Sequence, residues 1–159
     1  MFNKQTLKCL TLAVITSQTL VAAVHASSNL SRAEGVVTDS QSNLQWQDNY
    51  DNNAGEVKSG SFIEATEYCS KLDLLGKQDW RLPTQDELLT TVDKSRADDN
   101  QPAIKAIFEM VLVEEGYLST TNYEDDSETV WLVDYTHGES QDVALINTDG
   151  YHIRCVRAK

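Results

Sequence analysis

Polar and apolar residues alternate through Asp79-Trp80-Arg81-Leu82, the period of a short half-buried strand. The spacing then turns helical at Leu88, Leu89 and Val92. Pro83 sits at the changeover, where its missing amide hydrogen ends a ladder. Thr84 and Glu87 form a capping box, so the pattern predicts a strand, a corner and then a helix to about Val92, with Trp80 at the packing centre. Ser61 and Glu64 repeat the device. Behind them Phe62, Ala65, Cys69 and Leu72 recur at helical spacing, which predicts a helix from about Phe62 to Leu75 that stops at Gly76.

Strand patterns flank these helices. Gly35–Asp39 and Leu44–Gln47 read as two strands around the turn 40–43, with Leu44 and Trp46 on one face. Tyr117–Thr121 reads as another strand, and so does Val130–Tyr135, with Trp131, Val133 and Tyr135 on one face and Leu132 on the other. Val143–Asn147 and Tyr151–Arg157 read as a hairpin around Thr148-Asp149-Gly150. Pro102 is placed to open a third short helix containing Ile104, Ile107 and Phe108. Residues 48–56, 94–101 and 123–128 are polar or charged and read as loops, and 27–34 as a loose lead-in. Two strands, then helices, then mostly strands make an α+β fold with an antiparallel sheet.

The first residues belong to an address. Lys4 and Lys8 precede a mostly apolar run, Cys9–Ala23, and Val24-His25-Ala26 matches a small-residue cleavage site, so 1–26 reads as a secretory signal peptide. Thr11, Thr16, Ser17, Gln18 and Thr19 interrupt the run, which is short for a membrane span. Cleavage after Ala26 leaves 133 residues, enough for one domain at 35–159, outside the cytoplasm: secreted, periplasmic or at the cell surface. It also removes two lysines, taking the formal charge from −12 to about −14. Such a chain is repelled by nucleic acid, anionic lipid and acidic polysaccharides; neutral glycans, cations and basic protein surfaces remain as partners.

Cysteine usage points the same way. After cleavage only Cys69 and Cys155 are left, and an exported chain with two cysteines usually joins them. They are 86 positions apart, a loop worth roughly 4–5 kcal/mol in the chain-entropy model. The absence of a CxxC pair makes this a structural bond rather than a redox centre.

Catalytic signals are few. Two histidines remain, His137 in a turn and His152 in a strand, neither near a nucleophile at a telling spacing, and no phosphate loop, dinucleotide fingerprint or HExxH helix occurs. The oxygen-rich loop 48–56 lacks the spacing of a calcium loop, and the contiguous acids Glu124, Asp125, Asp126 and Glu128 are of a kind that seldom converges on one ion, so no cofactor is expected. Trp46, Trp80 and Trp131 are expected in the core, with Arg81 held in an ion pair at the strand–helix corner. Arg81, Arg154 and Arg157 could otherwise clamp a carboxylate. The aromatics Tyr50 and Tyr123, set in polar loops, together with Asp125, Asp126 and His137, are the candidate ligand contacts.

Several of these pieces, taken in order, resemble a known family. They are Thr38-Asp39 with Leu44-Gln45-Trp46-Gln47, Tyr68-Cys69, Asp79-Trp80-Arg81-Leu82-Pro83-Thr84 with Glu87-Leu88, Pro102-Ala103-Ile104, Tyr117–Thr121, Trp131–Tyr135 and Arg154-Cys155-Val156-Arg157. The chain resembles the DUF1566 family, also called the Lcl C-terminal domain family, over nearly all of its mature length. The resemblance implies a C-type-lectin-like architecture, in which two helices flank a twisted antiparallel sheet and the termini lie close together. It also implies a surface adhesion role, with glycosaminoglycan binding by a trimer. Leu118 stands where the family often has an aromatic, and the acidity of this chain conflicts with a polyanionic ligand. Calcium-dependent lectins of this fold carry paired-oxygen triplets, which Gln101-Pro102-Ala103 and Trp131-Leu132-Val133-Asp134 do not supply. The expectation is an exported, non-enzymatic binding domain whose loops between Ala97 and Glu139 contact a glycan or protein. The alternatives are a periplasmic hydrolase or sulfur-modifying enzyme, or a structural subunit of a surface assembly.

Overall fold

A computed structural model describes residues 29–124 and 126–159. The signal-peptide expectation and Asp125 lie outside the described residues.

The two capping boxes set both helices. Helix α1 (Phe62–Lys71) starts at Ser61, whose side chain accepts from the Glu64 amide while Glu64 reaches back to the Ser61 amide. Helix α2 (Gln85–Thr90) starts in the same way at Thr84 and Glu87. Both are shorter than the apolar spacing predicts. Leu72 is already extended, and Leu89, expected inside, is 38% exposed, so α2 buries Leu88 alone.

Among the described residues nine strands make two sheets. In the first, β1 (Leu30–Ala33), β2 (Val36–Asp39), β3 (Leu44–Gln47) and β9 (Val156–Ala158) follow the order β1-β2-β3-β9. The expected lead-in is thus a paired strand, turned into β2 by Glu34 and Gly35, both at positive φ. A Cβ on Gly35 would lie 2.3 Å from the Asn49 Cβ, so only glycine fits there. The pairing of β3 with β9 brings the two ends of the domain together.

The second sheet has the order β4-β8-β5-β6-β7, built from β4 (Ser59–Gly60), β5 (Gly116–Tyr123), β6 (Asp126–Asp134), β7 (Ser140–Ala144) and β8 (Tyr151–His152). All its pairings are antiparallel except β5 with β8. The hairpin expected between 143–147 and 151–157 is not formed. A 3-10 turn at Leu145–Asn147 redirects the chain, so β7 pairs with β6 while β8 pairs with β4 and β5. The third helix is also absent. Its backbone is taken up elsewhere, the Ala103 amide donating to Tyr135 O at 2.7 Å and the Lys105 amide to Thr91 O at 2.9 Å. The charged stretch before it forms a 3-10 helix, Lys94–Asp99.

The core has two lobes. One gathers Val37, Trp46, Tyr50, Leu88, Ile104, Phe108, Tyr117, Val133 and Tyr135; the other gathers Ala65, Cys69, Leu72, Trp80, Leu82, Leu118, Val130, Ile153 and Cys155. β5 and β6 contribute to both, so their middle is covered on both faces, which is why Leu132 is as buried as Val133. Leu118 fills the second lobe. The expected disulfide is present: Cys69 of α1 is bonded to Cys155, with Cα atoms 5.4 Å apart. The predicted strand at Trp80 shrinks to one bridge, in which Arg81 and Val156 exchange both backbone hydrogen bonds at 2.9 Å. The architecture of the described residues is mixed α and β, mostly sheet, with one disulfide.

Candidate functional site

Polar side chains that could bind ligands are first claimed by the fold itself. Asp48 has no exposed side-chain surface, yet its carboxylate is saturated. Oδ1 accepts from the Met110 amide at 3.0 Å and Arg154 at 3.1 Å; Oδ2 accepts from the Glu109 amide at 3.0 Å and Arg32 Nε at 2.6 Å. Arg154 is itself fully buried, donates to Gln47 O at 2.8 Å and to Met110 O, and lies 4.7 Å from the Phe108 ring centre. This hub ties the loop after β3 to the 108–113 segment and to the short connection between β8 and β9, and it leaves no room for an external carboxylate. Arg81 forms the expected corner ion pair, donating to both Glu87 oxygens at 2.7 and 2.6 Å. Arg157 grips Asp79 at 2.6 Å, its guanidinium 6.0 Å from the Trp80 ring. All three arginines able to clamp a carboxylate already hold one of the chain's own acids.

Tyr50, expected as an exposed contact, is a correction. It is 1% exposed, and its hydroxyl donates to Ile153 O at 3.0 Å. The 3-10 turn at Asp51–Asn53 keeps the polar residues outside and turns the ring inward. Burial pushes its phenol pKa well above the ordinary value. Tyr135 is pushed up to about 12 by the same burial, and shares a 2.6 Å hydrogen bond with Thr91.

Tyr123 and Trp131 behave differently. The alternating pattern places Trp131 in the core, but it belongs to neither lobe and is only partly buried. Its strand face is the one that carries Val133 and Tyr135 into the first lobe; towards the hairpin end that cover stops. There the Trp131 ring meets Tyr123, centroids 5.1 Å apart and planes inclined at 52°. Asp142 of β7 pairs directly with Trp131, which places both on the same side of the sheet. The charges of Glu124, first, and then Asp142, together with some desolvation, hold the Tyr123 phenol above its usual pKa. Asp126 serves the hairpin itself. Its carboxylate accepts from the Glu128 amide and the Thr129 hydroxyl, both at 2.9 Å, and these bonds lower its pKa.

His137 stands apart from this end. It follows the far end of β6, whose nine residues span roughly 25 Å. It is well exposed, its Nδ1 is 3.8 Å from Asp134, and it lines a cleft of about 320 Å³ with Ala97, Gln101 and Thr136. The loops between Ala97 and Glu139 therefore form two separate surfaces: a cleft that Tyr135 and His137 line, and the hairpin end, where Tyr123 and Trp131 meet.

One Ser–His contact escapes the sequence because its partners are 93 residues apart: Ser59 Oγ lies 2.8 Å from His152 Nδ1. Among the described residues His152 Nε2 is buried without a hydrogen-bond partner, and none of their carboxylates orients the ring as a triad requires. Burial lowers the pKa of this histidine. The sulfur-modifying alternative needs a free thiol, and Cys69 and Cys155 are joined to each other. Among the described residues no three His, Cys, Asp or Glu are gathered to hold a metal ion, and no helix is long and apolar enough to cross a membrane.

No curated protein matches the chain. The profile of the Lcl C-terminal domain family matches residues 35–157, from the turn into β2 through to the strand that holds Arg157. That span contains both helices, both lobes, the disulfide and the aromatic hairpin end, and the chain belongs to the Lcl C-terminal domain family.

Proposed function

We propose that the chain is an exported, non-enzymatic binding domain that recognises a glycan or protein ligand through the outer end of its β5–β6 hairpin. The observation that carries the reading is Trp131, a strand tryptophan left outside both core lobes and paired with Tyr123 at 5.1 Å. Aromatic faces with a polar rim suit the apolar C–H faces of sugars and the hot spots of protein contacts. The scaffold is C-type-lectin-like on this reading. In support, two helices accompany mostly antiparallel sheets, the first and last described strands lie in one sheet, and a disulfide ties α1 to the C-terminal segment. A disulfide and an acidic surface suit a secreted, periplasmic or cell-surface setting.

The test is an array of glycans and proteins probed at two salt concentrations, with calcium and with chelator. The expected result is saturable binding that needs no calcium and is lost in Trp131→Ala without a change in melting temperature. Binding that survives both Trp131→Ala and Tyr123→Ala contradicts the site, and turnover of a bound ligand contradicts the non-enzymatic role.

A further inference from the structure

We propose that the occupant of the Trp131 surface is a basic polypeptide segment, whose arginine or lysine side chains stack on Trp131 and Tyr123 and are met by Glu124 and Asp142. This rests on the binding reading above and names its partner. The aromatic face supplies the site; the charge around it selects what can sit there.

Residues 106–153 contain eleven acids and no lysine or arginine. That stretch includes the whole of β5, β6 and β7. Elsewhere Arg32, Arg81, Arg154 and Arg157 each hold one of the chain's own acids. Within 106–153 the described ion pairs are Glu109 with Arg32 and Asp134 with His137. Glu124, Asp126, Glu128 and Asp142 have no Lys or Arg partner among the described residues.

The aromatic pair thus stands in a one-sided negative field. A guanidinium or ammonium group over an aromatic face is attracted by the ring quadrupole, and Arg also stacks. Asp142, opposite Trp131, and Glu124, beside Tyr123, supply the counter-charges within reach of the same rings. A neutral glycan would use the rings and leave these charges unmet, and a polyanion would be repelled. No three of the described acids converge on an ion, so the charge suits several cations spaced along a chain. β7 is an outer strand of its sheet, with one edge unpaired among the described residues, and an extended segment beside it would lie along Asp142.

The experiment measures fluorescence anisotropy of a labelled (Gly-Arg)6 peptide with the purified protein at 50 and 300 mM NaCl. Cellohexaose and chitohexaose are titrated in parallel by calorimetry. The peptide is expected to bind, more weakly at the higher salt. Trp131→Ala should weaken it roughly tenfold. Asp142→Asn should weaken it about threefold, and Asp99→Asn, on a distant 3-10 helix, by less than a factor of about two. Thermal melts check each variant, and Tyr123→Ala replaces Trp131→Ala should the latter melt early. Equal losses in Asp142→Asn and Asp99→Asn, with none in the aromatic variants, overturn the proposal, since they describe attraction without a site. Trp131-dependent binding of a neutral hexasaccharide with no peptide binding overturns the basic partner and leaves the binding reading standing. Failure of both probes overturns both.

Discussion

Removing the Asp48 carboxylate should unfold this protein more readily than almost any other single polar substitution. In Asp48→Ala two backbone amides, those of Glu109 and Met110, lose their acceptor, and the buried Arg154 guanidinium keeps its charge but loses its counter-charge. Taking one partner from a buried ion pair costs about 3–5 kcal/mol, because the other stays desolvated and uncompensated. Arg32 adds little to this, since it is partly exposed and also reaches Glu109 at 3.1 Å. Domains of this size are stable by only about 5–15 kcal/mol, so the loss is a large share. It corresponds to a drop of roughly 10–20 °C in Tm. Asp48→Asn should fall between wild type and Asp48→Ala, because one side of the amide presents a donor to groups that are themselves donors. The assay is urea unfolding followed by circular dichroism with the disulfide intact, repeated for Arg154→Met and for the double variant. The coupling energy between Asp48 and Arg154 should exceed about 1 kcal/mol. A cost below about 1 kcal/mol for Asp48→Ala would refute the view that this hub holds the chain ends together.

Other consequences are equally direct. Reducing the Cys69–Cys155 bond should cost roughly 4–5 kcal/mol, read as a lower urea midpoint in the presence of a reductant; an unchanged midpoint would contradict a structural role. His152 has a folded-state pKa below the ordinary value of 6.5, so the unfolded chain binds its proton first. Its contribution is therefore fully present above about pH 6.5, the unfolded value, and is lost as pH falls from there towards the depressed folded value. Melting temperatures between pH 7.5 and 5 should drop in wild type and less in His152→Gln; parallel curves would contradict this. Tyr50→Phe should cost about 1 kcal/mol through the lost bond to Ile153 and leave ligand binding untouched, whereas lost binding would return Tyr50 to the site.

What can be read in the sequence follows from how far apart the partners lie. Both capping boxes span three residues, so the helix starts at Ser61 and Thr84 are visible in full. The disulfide needs only a count of cysteines, and the Arg81–Glu87 pair lies within one corner. Asp48 gives no local signal, because the donors that bury it are 16, 61, 62 and 106 residues away. The Pro102 helix fails for a similar reason: its backbone groups find partners in Tyr135 and Thr91 before a helical turn can close. Alternation misplaces Trp131 because it assigns the ring to the same face as Val133 and Tyr135, and it cannot say where the covering residues stop. Eleven acids without a lysine or arginine across 106–153 is the one sequence signal that marks the hairpin end as unusual.

The functional reading depends on Trp131 being the tryptophan that meets ligand. Trp46 and Trp80 are buried, so the three indole N–H resonances in a nitrogen-15 spectrum report the core and the surface separately. In a titration with the tightest array ligand, the Trp131 signal should shift while those of Trp46 and Trp80 stay in place. A shift confined to Trp46 or Trp80, or saturable binding that leaves all three unmoved, would contradict that assignment.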